Sequence, residues 1–242
     1  MALIHGVKPI VTSGLVLCLD AGNRKSYPGS GDIWTDLSGN GNTGSINGGA
    51  GYSNLNGGSL TFDGTNDDVG ITNNDLYKFS NTQAFSLNLW VKCTSPGVNS
   101  GTNVVLAFAN GGRGYYFTID INFIRTNSFF FDYYDGSIFR GIQGNNNSIT
   151  LNSWVMLTAT SSSNSVNGMK VYQNGVLTSW TNRGTGTPST INYDTLSMKI
   201  GSRQNAEYFV GNIAQVSIYN RALTATEIAQ NYNALKGRYG LT

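Results

Sequence analysis

The most regular stretch of the chain is Phe85-Ser86-Leu87-Asn88-Leu89-Trp90-Val91. Apolar Phe85, Leu87, Leu89 and Val91 recur there at every second position. A period of two puts one set of side chains on one face of a β-strand. The same pattern predicts strands over residues 59–63, 69–72, 103–109, 115–120, 128–133, 137–141, 154–160, 169–173, 176–178, 196–202 and 212–219. Val11 to Asp20 differs, because Leu15, Leu17 and Leu19 alternate with Val16 and Cys18. Both faces of that strand are expected to be buried. Asn174-Gly175 joins two of the patterns and predicts a type I′ hairpin turn, whose central positions both need positive φ.

Residues 21–56 break the alternation with many Gly, Asn and Ser. Within them, Ile33-Trp34-Thr35-Asp36-Leu37 is expected to dock its apolar side chains on the core. One helix is expected, over about 225–236. Thr224-Ala225-Thr226-Glu227 fits a capping box, Ile228, Tyr232 and Leu235 share a face, and Gly237 is the expected C′ residue. No repeat or linker divides the chain. Residues 1–12 read as an N-terminal arm and 13–242 as one domain.

Composition narrows the class. Charged residues are 12% of the chain, about half the ~25% of an ordinary soluble domain. Glycine is 31 of 242 residues, and only Glu207 and Glu227 are glutamate. Helical bundles and coiled coils are disfavoured, and 12% aromatics with a net charge of +2 argue against disorder. Fifteen Lys and Arg against thirteen acids, spread thinly, give no footprint for nucleic acid. No apolar run is long enough to span a membrane, and Met1 to Pro9 lacks the apolar stretch of a signal peptide. Cys18 and Cys93 read as small core residues, with a single bridge between them left open. The fold class that survives is all-β.

Several segments together then resemble a known family. They are Gly14-Leu15-Val16-Leu17-Cys18-Leu19-Asp20-Ala21-Gly22-Asn23, Ser26-Tyr27-Pro28-Gly29-Ser30-Gly31, Trp34-Thr35-Asp36-Leu37-Ser38-Gly39-Asn40-Gly41-Asn42 and Phe62-Asp63-Gly64-Thr65-Asn66-Asp67-Asp68-Val69. Later come Trp154, Val171-Tyr172-Gln173-Asn174-Gly175 and Ile218-Tyr219-Asn220-Arg221-Ala222-Leu223 with Glu227-Ile228. Over about residues 14–239 the chain resembles concanavalin A-like, laminin G-like domains of the type found in phage structural proteins and bacterial surface proteins. The resemblance implies a jelly-roll β-sandwich of two antiparallel sheets with one short C-terminal helix. It also implies a virion surface component, such as a capsid decoration or a tail- or fibre-associated module. The alternative is a carbohydrate-binding lectin or adhesion module on a bacterial surface.

Catalysis is not expected. Glycoside cleavage needs two carboxylates about 5–9.5 Å apart across one bond. Glu207 and Glu227 are remote in sequence, and Glu227 is explained as a helix cap. Asp132 and Asp135 straddle a turn, and Asp67 and Asp68 are adjacent. The single histidine, His5, lies in the arm. Calcium needs six to eight oxygens. Asp63, Asn66, Asp67 and Asp68 in one loop, with Asp20 and Asn23 in another, are the candidates, and Asx-turn chemistry is the competing explanation. No cofactor is required.

Two aromatic segments stand out, Tyr115-Tyr116-Phe117 and Phe129-Phe130-Phe131-Asp132-Tyr133-Tyr134. Alternation sends half of each inward. Tyr115, Tyr116, Phe130, Asp132, Tyr133 and Tyr134 are therefore the candidates for glycan or partner contact, with burial of both rows as the alternative. Leu3, Ile4, Val7 and Ile10 make the arm apolar and suit it to adding as a strand to a neighbour. The expected partners are other virion proteins, further copies of the chain and cell-surface polysaccharide. Nucleic acid and membrane insertion are not expected.

Overall fold

The computed structural model describes residues 8–71, 75–79, 83–95, 102–110, 113–120, 127–134, 139–162, 168–184, 197–203 and 207–242. Nineteen strands lie among them. In chain order they are β1 (Leu15–Asp20), β2 (Ile33–Trp34), β3 (Gly44–Asn47), β4 (Gly51–Ser53), β5 (Ser59–Asp63), β6 (Asp68–Ile71), β7 (Phe85–Cys93), β8 (Thr102–Asn110), β9 (Arg113–Asp120) and β10 (Ser128–Tyr134). Then follow β11 (Phe139–Gly144), β12 (Val155–Ser161), β13 (Met169–Gln173), β14 (Val176–Leu177), β15 (Trp180–Arg183), β16 (Ser197–Ile200), β17 (Ser202–Arg203), β18 (Glu207–Tyr208) and β19 (Val210–Tyr219). The helix α1 spans Ala225–Leu235.

Two large antiparallel sheets form a jelly-roll sandwich. The first runs β14-β13-β12-β7-β19-β5-β4. One side of β19 pairs with β7, and β5 and β1 share the other side, along Val210–Ile213 and Gln215–Tyr219 respectively. The second sheet runs β15-β11-β10-β9-β8-β16-β6-β3-β2.

Period-two alternation builds the core. Phe85, Leu87, Leu89 and Val91 of β7 point between the sheets, as do Leu157 and Ala159 of β12 and Phe129, Phe131 and Tyr133 of β10. Phe85 links the layers, its ring 5.9 Å from Phe131 and 5.3 Å from Tyr115. β1 is buried on both faces as its unbroken apolar run requires. Trp34 of the irregular stretch is fully buried. Cys18 and Cys93 are buried and unbridged, and burial pushes their thiols up to about 11 and about 12.

The outer face of the first sheet is covered as well. Trp90, Met156, Tyr172 and Tyr219 pack there against Ile228 and Leu235 of α1 and Tyr239 just beyond it. The Trp90 ring stacks on Tyr239 at 4.2 Å and on Tyr232 at 5.8 Å. Thr224 and Glu227 form the expected capping box. Gly237 does not end the helical run. The chain continues through a 3-10 turn, Lys236–Tyr239, and the left-handed position falls on Gly240 at φ 70°. Burying Tyr239 against Trp90 holds this extra turn in place.

The N-terminal segment lies on the same side. Val11 donates its backbone N–H to Asn231 Oδ1 at 2.8 Å, and Tyr219 donates its hydroxyl to the Val11 carbonyl at 3.0 Å. Gln230 donates to the Pro9 carbonyl at 2.8 Å. Ile10 is half-buried against the helix cluster of its own chain. Leu3, Ile4, Val7 and His5 lie outside the described residues. No helix among the described residues is long and apolar enough to cross a membrane.

Candidate functional site

The outer face of the second sheet differs from that of the first. Alternation on β10 buries Phe129, Phe131 and Tyr133 inside, so Phe130 and Asp132 point outward. On β9, Tyr115 and Phe117 are inside and Tyr116 is outside. Tyr115 and Tyr133 are thus core residues. Strand register sets Ser45, Gly70, Lys199, Ala107, Tyr116, Asp132, Gly141 and Arg183 side by side across eight strands. Small residues at Gly70, Ala107 and Gly141 leave room along this row for Lys199, Tyr116, Asp132 and Arg183.

Asp132 is its centre. It is 3% exposed. Burial drives its carboxyl up to about 7, against the opposing pull of the Arg183 guanidinium. Arg183 Nη1 bridges to one carboxylate oxygen, Oδ2. The other, Oδ1, accepts no hydrogen bond from the described residues. It lies against Gly141, where a Cβ would come within 2.2 Å of it. The ion pair therefore depends on glycine at that place. The Arg183 guanidinium also covers the Phe130 ring at 4.7 Å.

Tyr116 is built the same way. The Arg203 guanidinium covers its ring at 5.2 Å and bridges to Glu207 Oε1 at 2.5 Å. Arg203 and Glu207 come from the short β17–β18 hairpin. Glu207 Oε2 accepts no hydrogen bond from the described residues, and burial raises the pKa of this carboxyl. Tyr116 packs with Val104 and Ala107, and half-buried Tyr134 leans on that cluster. At the other end of the row Lys199 Nζ bridges to Asp68 Oδ2 at 2.6 Å. Buried acids and rings thus form a floor, with half-exposed cations over them. Such a surface offers hydrogen-bond donors on the guanidinium groups, while Asp132 Oδ1 and Glu207 Oε2 are shut away beneath them.

The other sequence candidates do not meet here, Asp68 excepted. Asp63 Oδ1 accepts from the Thr65 N–H at 2.7 Å, and Asp67 Oδ2 accepts from the Asp63 N–H at 2.9 Å. Asn66 is exposed in the same turn. Asp20 Oδ1 accepts from Gly22 and Arg238, and Asn23 Oδ1 from the Lys25 N–H. Among the described residues no three His, Cys, Asp or Glu side chains are grouped to hold a metal ion. Asp135 lies outside the described residues. Sequence reasoning missed Arg183, Arg203, Glu207 and Lys199 as members of one face. The Arg183 and Lys199 pairs join residues 51 and 131 positions apart, beyond any local pattern.

Solved structures share this fold. The binding domain of botulinum neurotoxin serotype D is 14% identical with a TM-score of 0.65, over 92% of this chain and 52% of that one. The binding domain of Paraclostridial Mosquitocidal Protein 1 is 16% identical with a TM-score of 0.66, over 94% and 55%. Domain 4 of AbnA, an extracellular arabinanase from Geobacillus stearothermophilus, was solved in complex with arabinotriose. It is 18% identical with a TM-score of 0.64, over 91% of this chain and 98% of that one. The chain spans about half the length of the toxin binding domains. At these identities the likeness is one of fold. Comparison with curated proteins finds no match. The Laminin_G_3 family, described as concanavalin A-like lectin/glucanases superfamily, matches residues 63–229. With well over half its length matched and the two-sheet jelly roll formed, the chain belongs to the concanavalin A-like lectin/glucanases superfamily.

Proposed function

We propose that the chain is a non-catalytic binding module and that its ligand is a hydroxyl-rich polysaccharide lying across the outer face of the second sheet. The observation that carries this reading is a pair of guanidinium groups laid over rings on one sheet face, Arg183 over Phe130 at 4.7 Å and Arg203 over Tyr116 at 5.2 Å, each fixed by an acid, Asp132 or Glu207. A sugar hydroxyl both donates and accepts, so it suits a surface where arginine and carboxylate stand in fixed pairs. The non-catalytic part rests on the same pairs. Asp132, Glu207 and Asp68 each have a cation as partner, and Glu227 is held by Arg221 and the helix cap.

A glycan array of plant, bacterial and storage polysaccharides, with and without calcium, tests the reading. Binding that weakens at least tenfold in Arg203→Ala and Tyr134→Ala supports it. No binding to any glycan under either condition overturns it.

The virion reading gains support from one feature. Residues 8–12 are strapped to α1, on the side of the sandwich opposite the proposed ligand face. A module attached through that side would display the other. Deleting residues 1–7 should then abolish assembly with a particle while leaving thermal stability unchanged. Unchanged assembly counts against it.

A further inference from the structure

One cluster at the β3 end of the same sheet face brings together groups that the proposed ligand binding does not require. Asn47 of β3, Asp68 of β6 and Lys199 of β16 belong to three neighbouring strands, with β6 in the middle. Asp68 is buried, and its two oxygens face two different groups. Lys199 Nζ donates to Oδ2 at 2.6 Å, and Asn47 Nδ2 donates to Oδ1 at 2.9 Å. Ser202 Oγ adds a longer contact to Oδ2 at 3.4 Å. Gly70 is the residue paired directly with Lys199, and a Cβ there would sit 3.6 Å from Asn47 Nδ2. The carboxamide therefore leans over Gly70 toward the lysine. Two strand spacings, about 9.6 Å, separate β3 from β16. Asn47 faces Asp68 and Lys199 faces Gly70, two positions further along β6, and the lean of both side chains takes up that stagger, so that their nitrogens meet on the two oxygens of one carboxylate.

An amine, a carboxamide and one carboxylate hydrogen-bonded to both are the components of an amide exchange. We propose that Lys199 and Asn47 form an intramolecular isopeptide bond, with Asp68 as the proton carrier. Asp68 first takes the ammonium proton and leaves a neutral amine. Nζ attacks Asn47 Cγ, the Nζ–Cγ bond forms and the Cγ–Nδ2 bond breaks. Asp68 passes the proton to the departing nitrogen, which leaves as ammonia. The second proton shed by Nζ returns to the carboxylate or to water, so atoms and charge balance without oxidant or cofactor. Asp68 already touches both the attacking and the departing nitrogen. Asn47 is exposed, which gives ammonia an exit. The product would tie β3, near the sheet edge, to the interior strand β16.

Intact mass measurement of the full chain under denaturing conditions tests this. The expected wild-type mass is lighter than the sequence by one ammonia, and proteolysis should yield one branched peptide joining residues 47 and 199. Lys199→Arg preserves the ion pair and should show the full sequence mass with a lower thermal midpoint. Asp68→Asn should also keep the full mass. A wild type at the full sequence mass overturns the proposal. So does an ammonia loss that persists in Lys199→Arg, because Asn47-Gly48 can lose ammonia by closing a succinimide on its own.

Discussion

At the scale of single residues, glycine sets the chemistry of the acid opposite it. Alanine at position 141 would meet the Phe131 carbonyl at 2.1 Å as well as Asp132 Oδ1. Gly141→Ala should destabilise the fold by about 3 kcal/mol or more, through overpacking and loss of a buried pair. Urea denaturation measures this. Asp132 also makes stability depend on pH. Its folded pKa, about 7, lies above its ordinary value of 3.8, so the folded state keeps a proton that the unfolded chain has released. The contribution of Asp132 is fully present below 3.8 and is lost as pH rises through about 7. Asp132→Asn should remove that part of the slope. Glu227 acts in the opposite sense. The Arg221 side chain and the helix cap hold it down at about 2. The stability it adds is present above the usual carboxylate range and is lost as pH falls toward 2. Sequence alternation already marked Asp132 as lying on the face opposite Phe131. It could not reveal Arg183, since nothing local announces that β15 will sit two strands away from β10.

Among elements, α1 closes the outer side of the first sheet by a cap at one end and aromatic stacking at the other. Thr224→Ala removes the side chain that accepts from the Glu227 N–H and should cost about 1 kcal/mol. Tyr239→Ala uncovers Trp90 and should cost about 3 kcal/mol, with red-shifted tryptophan emission as the optical check. Elements with their own hydrophobic period were legible in advance. Residues 59–63 and 169–173 form strands as read, and Asn174 and Gly175 take the positive φ values of 51° and 82° that the turn needs. The elements that escaped are short and poor in apolar residues. β3 contains a single large apolar side chain, Ile46, and exists because β6 and β2 pair with it. β17 and β18 are two residues each and rest on β8. Such strands owe their form to neighbours rather than to their own sequence.

For the molecule as a whole, the two outer faces divide the work. One is sealed with apolar side chains by α1 and the N-terminal segment, and the other presents paired charges over rings. Removing residues 225–242 should expose Trp90, Met156 and Tyr219 together and produce an aggregating protein that binds a hydrophobic dye. The face itself was half legible. Its aromatic and acidic floor came from alternation, whereas its cations arrive through strand order. That order also bears on how the protein is made. β19, the longest strand of the first sheet, follows all its other strands in the chain, yet it separates β7 from β1 and β5. Strands β1, β5 and β7 must wait on the ribosome without their common neighbour until residue 219 has emerged. The first sheet can thus close only once residue 219 is available, and refolding should fall in the slow millisecond-to-second range of non-local β topologies. A chain stopped short of Val210 would lose the middle of a sheet rather than its edge.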